Sequence, residues 1–299
     1  MPNTSDDTTL ATVKTVAILC AAGAIAGGVF LSGQQLPSEP RRQFGAGITG
    51  AFEGWFQNSD GSRSFLVGYL NRNTTQVLDV PIGPNNRIEP GGPDLGQPTH
   101  FLPGRRHGMF VVAVPKDFTA DQRLIWTIVV NGQAASIPLR LHPDYVLSPF
   151  SEIAARNTPP ILQFEQNGPP IQGPVAALAT ALVRTSDVST ALPLTLWASD
   201  DEKYTSGTNA PQRNPPPSVR LTWSKFRGPG AVTFDKSSPP VEKLPGGTAA
   251  FTGKSTTTAR FSEAGDYVLH VTANDYSGDG GGGFQCCWTT AMVKVAVKP

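Results

Sequence analysis

The chain has 299 residues, enough for two folded units with cores of their own. Its 24 Lys and Arg are matched by 23 Asp and Glu, so no charge excess draws the whole protein to nucleic acid or to an anionic membrane surface. The 31 glycines and 28 prolines, beside only 16% charged residues, suit short strands joined by turns better than packed charged helices.

Residues 1–12 are polar, and Thr15 to Leu31 then runs without a charge after Lys14. This is a membrane-directed apolar helix, with residues 1–36 forming an N-terminal tail plus either a transmembrane anchor or a cleaved signal peptide. Lys14 before the segment and Arg41 with Arg42 after it favour the opposite orientation to export. An export signal followed by β-sandwiches is the more coherent whole. The folded part is therefore expected in the periplasm or at the surface of a bacterial cell, anchored or secreted. Cys20 sits inside the apolar run and reads as one more apolar residue.

A Pro- and Gly-containing spacer leads to a first β-sandwich domain expected over residues 46–146. Ile48 to Gln57 reads as a strand, Asn58 to Gly61 as a turn, and Ser64 to Asn71 as the returning hairpin strand. Thr75 to Ile82 reads as a third strand. Gly83 to Gly104, rich in Pro and Gly, reads as a loop. Met109 to Val114 and Leu124 to Val130 are apolar strands, and Asn131-Gly132 is the two-residue sequence that a type I′ hairpin wants. Ser148 to Arg156 has the composition of a short helix inside a linker over 147–157, and Pro159-Pro160 stops it.

Residues 158–299 form the second expected domain. Leu194, Leu196 and Ala198 alternate with polar positions, as do Val219, Leu221 and Trp223, then Tyr267, Leu269, Val271 and Ala273, and finally Val293, Val295 and Val297. A two-sheet sandwich buries one face of each strand in this way, leaving Val268, His270 and Thr272 on the other. Trp223 and Tyr267 read as core residues, the second placed as a tyrosine corner.

The segments LTLWASDDE, VRLTWSKFRGPGAVTF, TTTARFSEAGDYVLHVTAND and MVKVAV resemble the PKD-like, immunoglobulin-like repeats of bacterial secreted and surface proteins. The resemblance covers roughly residues 158–298 and carries most in Trp223-Ser224-Lys225, Gly228-Pro229-Gly230 and Gly265-Asp266-Tyr267. It implies an immunoglobulin-like β-sandwich for the second domain and a binding or scaffold role without catalysis. With the first domain, assigned to no family and read from its strands as a β-sandwich or β-barrel, the expected fold is all-β, two β-sandwich (immunoglobulin-like) domains. The chain departs from the pattern in lacking the inter-sheet disulfide of antibody domains and in the long insertion from Glu202 to Pro217.

In such a sandwich the loops after the second and sixth strands emerge at one end. That tip would carry Asp200, Asp201, Glu202, Tyr204, Asp275, Tyr276, Asp279, Phe284 and Trp288, a polar and aromatic set suited to binding a protein or glycan at the cell envelope. Asp200, Asp201, Glu202, Asp275 and Asp279 could also converge on calcium, although no EF-hand loop is present and solvated carboxylates are the plainer account. Cys286 and Cys287 are candidates for a vicinal disulfide, or stand as two thiols. Arg105-Arg106-His107 is a basic cluster, either a solvated turn or an anion contact. The four histidines are scattered, no Cys-x-x-Cys occurs, and no nucleophile with base or phosphate-cradling loop is found. The chain is accordingly expected not to be an enzyme, to need no cofactor, and to bind the membrane through its N-terminal segment. Two other readings stay open: an accessory subunit of a membrane-bound enzyme or export complex, and a hydrolase pairing acids such as Glu53 and Asp79.

Overall fold

The computed structural model describes residues 42–152, 156–203, 217–247, 249–275 and 286–299, all within a compact unit spanning Arg41–Pro299. The expected apolar helix over residues 15–31 lies outside the described residues, as do positions 153–155 of the expected linker helix. Among the described residues no helix is long and apolar enough to cross a membrane. The described fold is all-β.

The N-terminal half has eight strands: β1 (Ile48–Gln57), β2 (Arg63–Asn71), β3 (Leu78–Asp79), β4 (Asn86–Glu89), β5 (His100–Phe101), β6 (Gly104–Val114), β7 (Leu124–Val130) and β8 (Gln133–Leu139). They form two three-stranded sheets, β1-β2-β6 and β4-β7-β8, with β3 paired to β5. The β1–β2 hairpin closes through a turn in which Asp60 Oδ1 accepts the Ser62 backbone N–H at 2.9 Å. At the β7–β8 hairpin Val130 faces Gln133, and Asn131 and Gly132 both have positive φ (51° and 72°), as a type I′ turn requires.

Two expectations in this half are corrected. The third strand shrinks from Thr75–Ile82 to Leu78–Asp79, and the segment Gly83 to Gly104 contributes β4 and β5 rather than only a loop. Asn86 is the reason. Its fully buried amide donates to the carbonyls of Val80 (2.9 Å) and Pro98 (2.7 Å), and its Oδ1 accepts from Trp126 Nε1 at 3.0 Å. One satisfied polar group thus pins three stretches of backbone that lack hydrophobic periodicity.

The C-terminal half contains β9 (Ile161–Gln163), β10 (Ile171–Gln172), β11 (Leu182–Asp187), β12 (Leu192–Asp200), β13 (Val219–Arg227), β14 (Val232–Phe234), β15 (Glu242–Lys243), β16 (Phe251–Phe261), β17 (Gly265–Asp275) and β18 (Trp288–Lys298). One sheet runs β10-β9-β12-β16-β14 with β15 added on β16, and the other runs β11-β18-β17-β13. The β11–β18 pair is parallel and the other pairs in these sheets are antiparallel. The alternating residues named above enter one core between the sheets, among them Leu194, Leu196, Val219, Leu221, Trp223, Leu269, Val271, Val293 and Val295. Tyr267 is buried there, and its hydroxyl donates to the Glu263 carbonyl at 2.9 Å while accepting the Gly230 N–H at 3.0 Å.

The outer face of β17 is where the alternation misleads. Val268 and His270 were expected to point away from the core, yet both are buried. With Phe226 of β13 and Met292 of β18, Val268 joins the core of the N-terminal half, beside Met109 and Phe110. Backbone bonds tie the halves as well: Thr99 N donates to Phe226 O at 3.2 Å and Val111 N to Ala176 O at 2.9 Å. The β11-β18-β17-β13 sheet is thus apolar on both faces near its middle, as a sheet covered on both sides must be.

Candidate functional site

Strands β6, β13, β14, β17 and β18, with residues from β5 and the loops beside them, enclose a cleft of about 700 Å³ where the two halves meet. Its lining includes Arg105, Arg106, Arg220 and Lys225, three of the four histidines (His100, His107 and His270), and the residues Trp223, Phe234 and Trp288. Among the described residues no Asp or Glu lines it. Arg105 and Lys225 are paired with carboxylates outside the lining, so the positive charge facing the cavity rests on Arg106 and Arg220.

Acids stand behind this lining and hold it in place. Arg105 Nη2 donates to Glu53 Oε1 at 2.6 Å, and His107 Nδ1 lies 3.8 Å from the same oxygen. Asp79 Oδ1 is 2.7 Å from His100 Nδ1 and 3.3 Å from the ammonium of Lys225. Partial burial acts to raise the Asp79 pKa, but His100 and Lys225 outweigh it and hold the carboxyl below its ordinary range. Lys225 is itself buried and donates to the carbonyls of Gly230 at 3.0 Å and Gly228 at 3.3 Å. Glu53 and Asp79, considered above as a catalytic pair, are each engaged with their own basic partners.

Three lining side chains keep polar atoms in reserve. Arg106 Nε, His270 Nε2 and Trp288 Nε1 are buried and have no hydrogen-bond partner among the described residues. His270 is 1% exposed and Trp288 4%. His270 is bonded to the backbone of Met109, and burial pushes its pKa down to about 4. The ring is therefore neutral at pH 7. With Nε2 unpartnered, the bond to the Met109 carbonyl falls on Nδ1–H, which leaves Nε2 as an acceptor. The ring also stacks on Phe226, with centroids 5.8 Å apart and planes at 18°.

Trp288 arrives here rather than at an exposed tip. Its side chain packs in a cluster with Phe56 and Leu66 of the N-terminal half, opposite Gly108. An added Cβ at Gly108 would lie 2.6 Å from Trp288 Cζ2. The residue at 108 must therefore be small for the indole to seat.

The other expected tip residues divide. Tyr204, Tyr276, Asp279 and Phe284 lie outside the described residues. Asp200 and Asp275, at the ends of β12 and β17, do come together but are buried, at 5% and 6% exposure. Asp275 Oδ2 accepts from the buried amide of Asn157 at 2.6 Å. Asp200 Oδ2 accepts the Glu202 backbone N–H at 2.7 Å. Burial first, then the charges of Asp275, Asp201 and Glu202, push the Asp200 pKa up to about 7, against the opposing Glu202 N–H. Asp201 accepts from Thr158 Oγ1 at 3.0 Å and pairs with Lys203, and Glu202 accepts from Ser218 Oγ at 2.5 Å. Each carboxylate thus has a protein partner of its own, and among the described residues no group of three or more His, Cys, Asp or Glu is placed to hold a metal. Cys286 and Cys287 are bonded to each other as a vicinal disulfide, buried against the carbonyl of Asn157.

Sequence reasoning noted Arg105, Arg106 and His107 but did not connect them to Arg220, His270 or Trp288. Runs of 110 residues and more separate these positions, and no local pattern links them.

No protein-family model matches the chain, and no curated protein matches it. Solved structures similar to it are distant β-rich proteins. Dimeric latent PorU from Porphyromonas gingivalis aligns at a TM-score of 0.26 and 12% identity over 84% of this chain, which spans 24% of that one. A protein of unknown function from Porphyromonas gingivalis W83 gives 0.21 and 9% over 84% of this chain and all of that one. An endo-fucoidan hydrolase of glycoside hydrolase family 107 gives 0.22 and 14% over 85% of this chain and 39% of that one.

Proposed function

We propose that this protein is a non-enzymatic binding or scaffold module of the bacterial cell envelope, and that it recognises its ligand in the cleft between its two halves. The observation that carries the reading is the cleft itself: a cationic lining in which buried donor and acceptor atoms lack partners among the described residues. Unpaired buried polar atoms cost about 1–3 kcal/mol each, and a ligand that satisfied them would recover that cost on binding. The acids behind the lining support binding over catalysis, because each is already paired with a basic group.

A PKD-like, immunoglobulin-like C-terminal domain over 158–299 is part of the proposal. The strand orders β9-β12-β16-β14 and β13-β17-β18 follow the ABED and CFG sheets of that architecture, and the Tyr267 hydroxyl ties back to residue 263 as a tyrosine corner does. The N-terminal apolar segment supports placement outside the cytoplasm, and residues 46–146 are proposed as the first domain. The ligand surface shifts from the distal tip towards the cleft because Asp200 and Asp275 are buried and Trp288 lines the cleft.

Two measurements test the proposal. Protease added to intact cells should reach the folded part, and protection equal to that of a cytoplasmic control would remove the envelope placement. A thermal-shift screen of the full chain in non-ionic detergent, against envelope glycans and peptides, should find at least one ligand whose stabilisation disappears in Trp288→Phe. A screen whose hits all survive that substitution would remove the cleft.

A further inference from the structure

We propose that the cleft takes an acidic saccharide, a sugar bearing a carboxylate or comparable oxyanion together with free hydroxyls. The inference rests on the binding reading above and deepens it. It follows from what the unpartnered atoms can and cannot do. Arg106 Nε carries an N–H on a permanently charged group, and the exposed Arg220 adds a second guanidinium to the lining from β13. Guanidinium groups suit a planar oxyanion, whose bonds to them are charge-assisted. Trp288 Nε1 can only donate.

His270 breaks the pattern. Its neutral ring gives Nδ1–H to Met109, so Nε2 offers a lone pair and needs a donor. A bare oxyanion has no proton to give at neutral pH and would face that lone pair with like polarity. A hydroxyl has one, and it can also accept from the indole N–H. One ligand that meets all three atoms therefore carries negative charge and hydroxyl groups together. The cavity is large enough for a sugar residue or two.

The test uses the full chain in non-ionic detergent and three probes: glucuronate, which has both features, glucose, which lacks the charge, and acetate, which lacks the hydroxyls. Binding is read by calorimetry and tryptophan fluorescence. Glucuronate should bind at least about tenfold more tightly than either partial probe, its affinity falling as salt rises. Arg106→Met should weaken it about tenfold with circular dichroism and melting unchanged. Trp288→Phe should weaken it about tenfold with circular dichroism unchanged and melting modestly lowered, since the smaller ring leaves part of the indole's buried space empty. Glucose binding equal to glucuronate would overturn the anionic part, and acetate binding equal to glucuronate would overturn the saccharide part. Both outcomes leave the cleft as a binding site. No binding of any probe overturns the inference alone, since the thermal-shift screen decides the binding reading independently.

Discussion

Arg227 holds Asp94 through both carboxylate oxygens, Nη1 to Oδ2 at 2.9 Å and Nη2 to Oδ1 at 2.8 Å, across 133 residues of sequence. Its Nε also donates to the Gln97 carbonyl at 2.9 Å. One side chain at the end of β13 therefore fastens the C-terminal half to the loop between β4 and β5, at the rim of the apolar contact made by Phe226. The pairing holds the Asp94 carboxyl below its ordinary pKa range, with the Arg227 bonds the largest cause.

Arg227→Lys keeps the charge but loses the two-pronged geometry and the bond to Gln97. Asp94 is 42% exposed, so solvent screens part of the ion pair, and the expected loss is about 1–2 kcal/mol. Urea unfolding should show a lower midpoint. If the halves separate first, two transitions appear in place of one.

Gly108→Ala should cost more. The backbone there has φ of +48°, and the new methyl would meet the Trp288 ring at 2.6 Å. A rigid indole packed on Phe56 and Leu66 has little room to give, so a loss of about 2–4 kcal/mol is expected, with a change in tryptophan emission. An unchanged spectrum and midpoint would mean that Trp288 is not seated where the structure puts it.

Tyr267→Phe removes one hydroxyl that serves two backbone groups, the Glu263 carbonyl and the Gly230 N–H. The ring stays in the core, so the cost isolates the hydrogen bonds and should be about 1–2 kcal/mol in chemical denaturation.

Stability against pH carries two opposed contributions. His270 has a folded pKa of about 4 against an ordinary 6.5, so between those values the unfolded chain binds a proton that the folded chain refuses. Its contribution is complete above pH 6.5 and is lost as pH falls towards 4, about 3 kcal/mol in all. Asp200 works the other way. With its pKa raised from 3.8 to about 7, the folded chain keeps a proton that the unfolded chain releases, so this contribution is complete below 3.8 and is lost as pH rises towards 7. The wild type should therefore show a shallow profile between pH 4 and 7. Asp200→Asn should leave the His270 slope exposed, with a melting temperature that climbs across that window and exceeds the wild type at pH 8. Parallel wild-type and variant profiles would contradict the assignment to Asp200.

The vicinal disulfide makes a chemical prediction. Peptide mapping after alkylation in denaturant should find Cys286 and Cys287 unmodified without reductant and both modified after reduction.

Much of the second half could be read in the sequence because a strand's period of two is local: Leu194 to Ala198, Val219 to Trp223 and Val293 to Val297 declare which side chains share a face before any partner is known. The Asn131-Gly132 hairpin is local in the same sense, since positive φ is a property of those two residues. The pairs Leu78–Asp79 and His100–Phe101 were not legible, because two residues cannot display a period and their placement depends on the distant amide of Asn86.

The amino-acid sequence by itself determined an all-β chain, its main strands, and which face of each strand is apolar. Only the tertiary structure decided that the other face of β17 is covered as well, turning Val268 into core and leaving His270 Nε2 and Trp288 Nε1 without partners among the described residues, in a cleft that Arg106 also lines. Alternation records the demand of one sheet for one core. Whether a second layer packs on the remaining face is settled by contacts between residues far apart in the chain, and those contacts form the cleft.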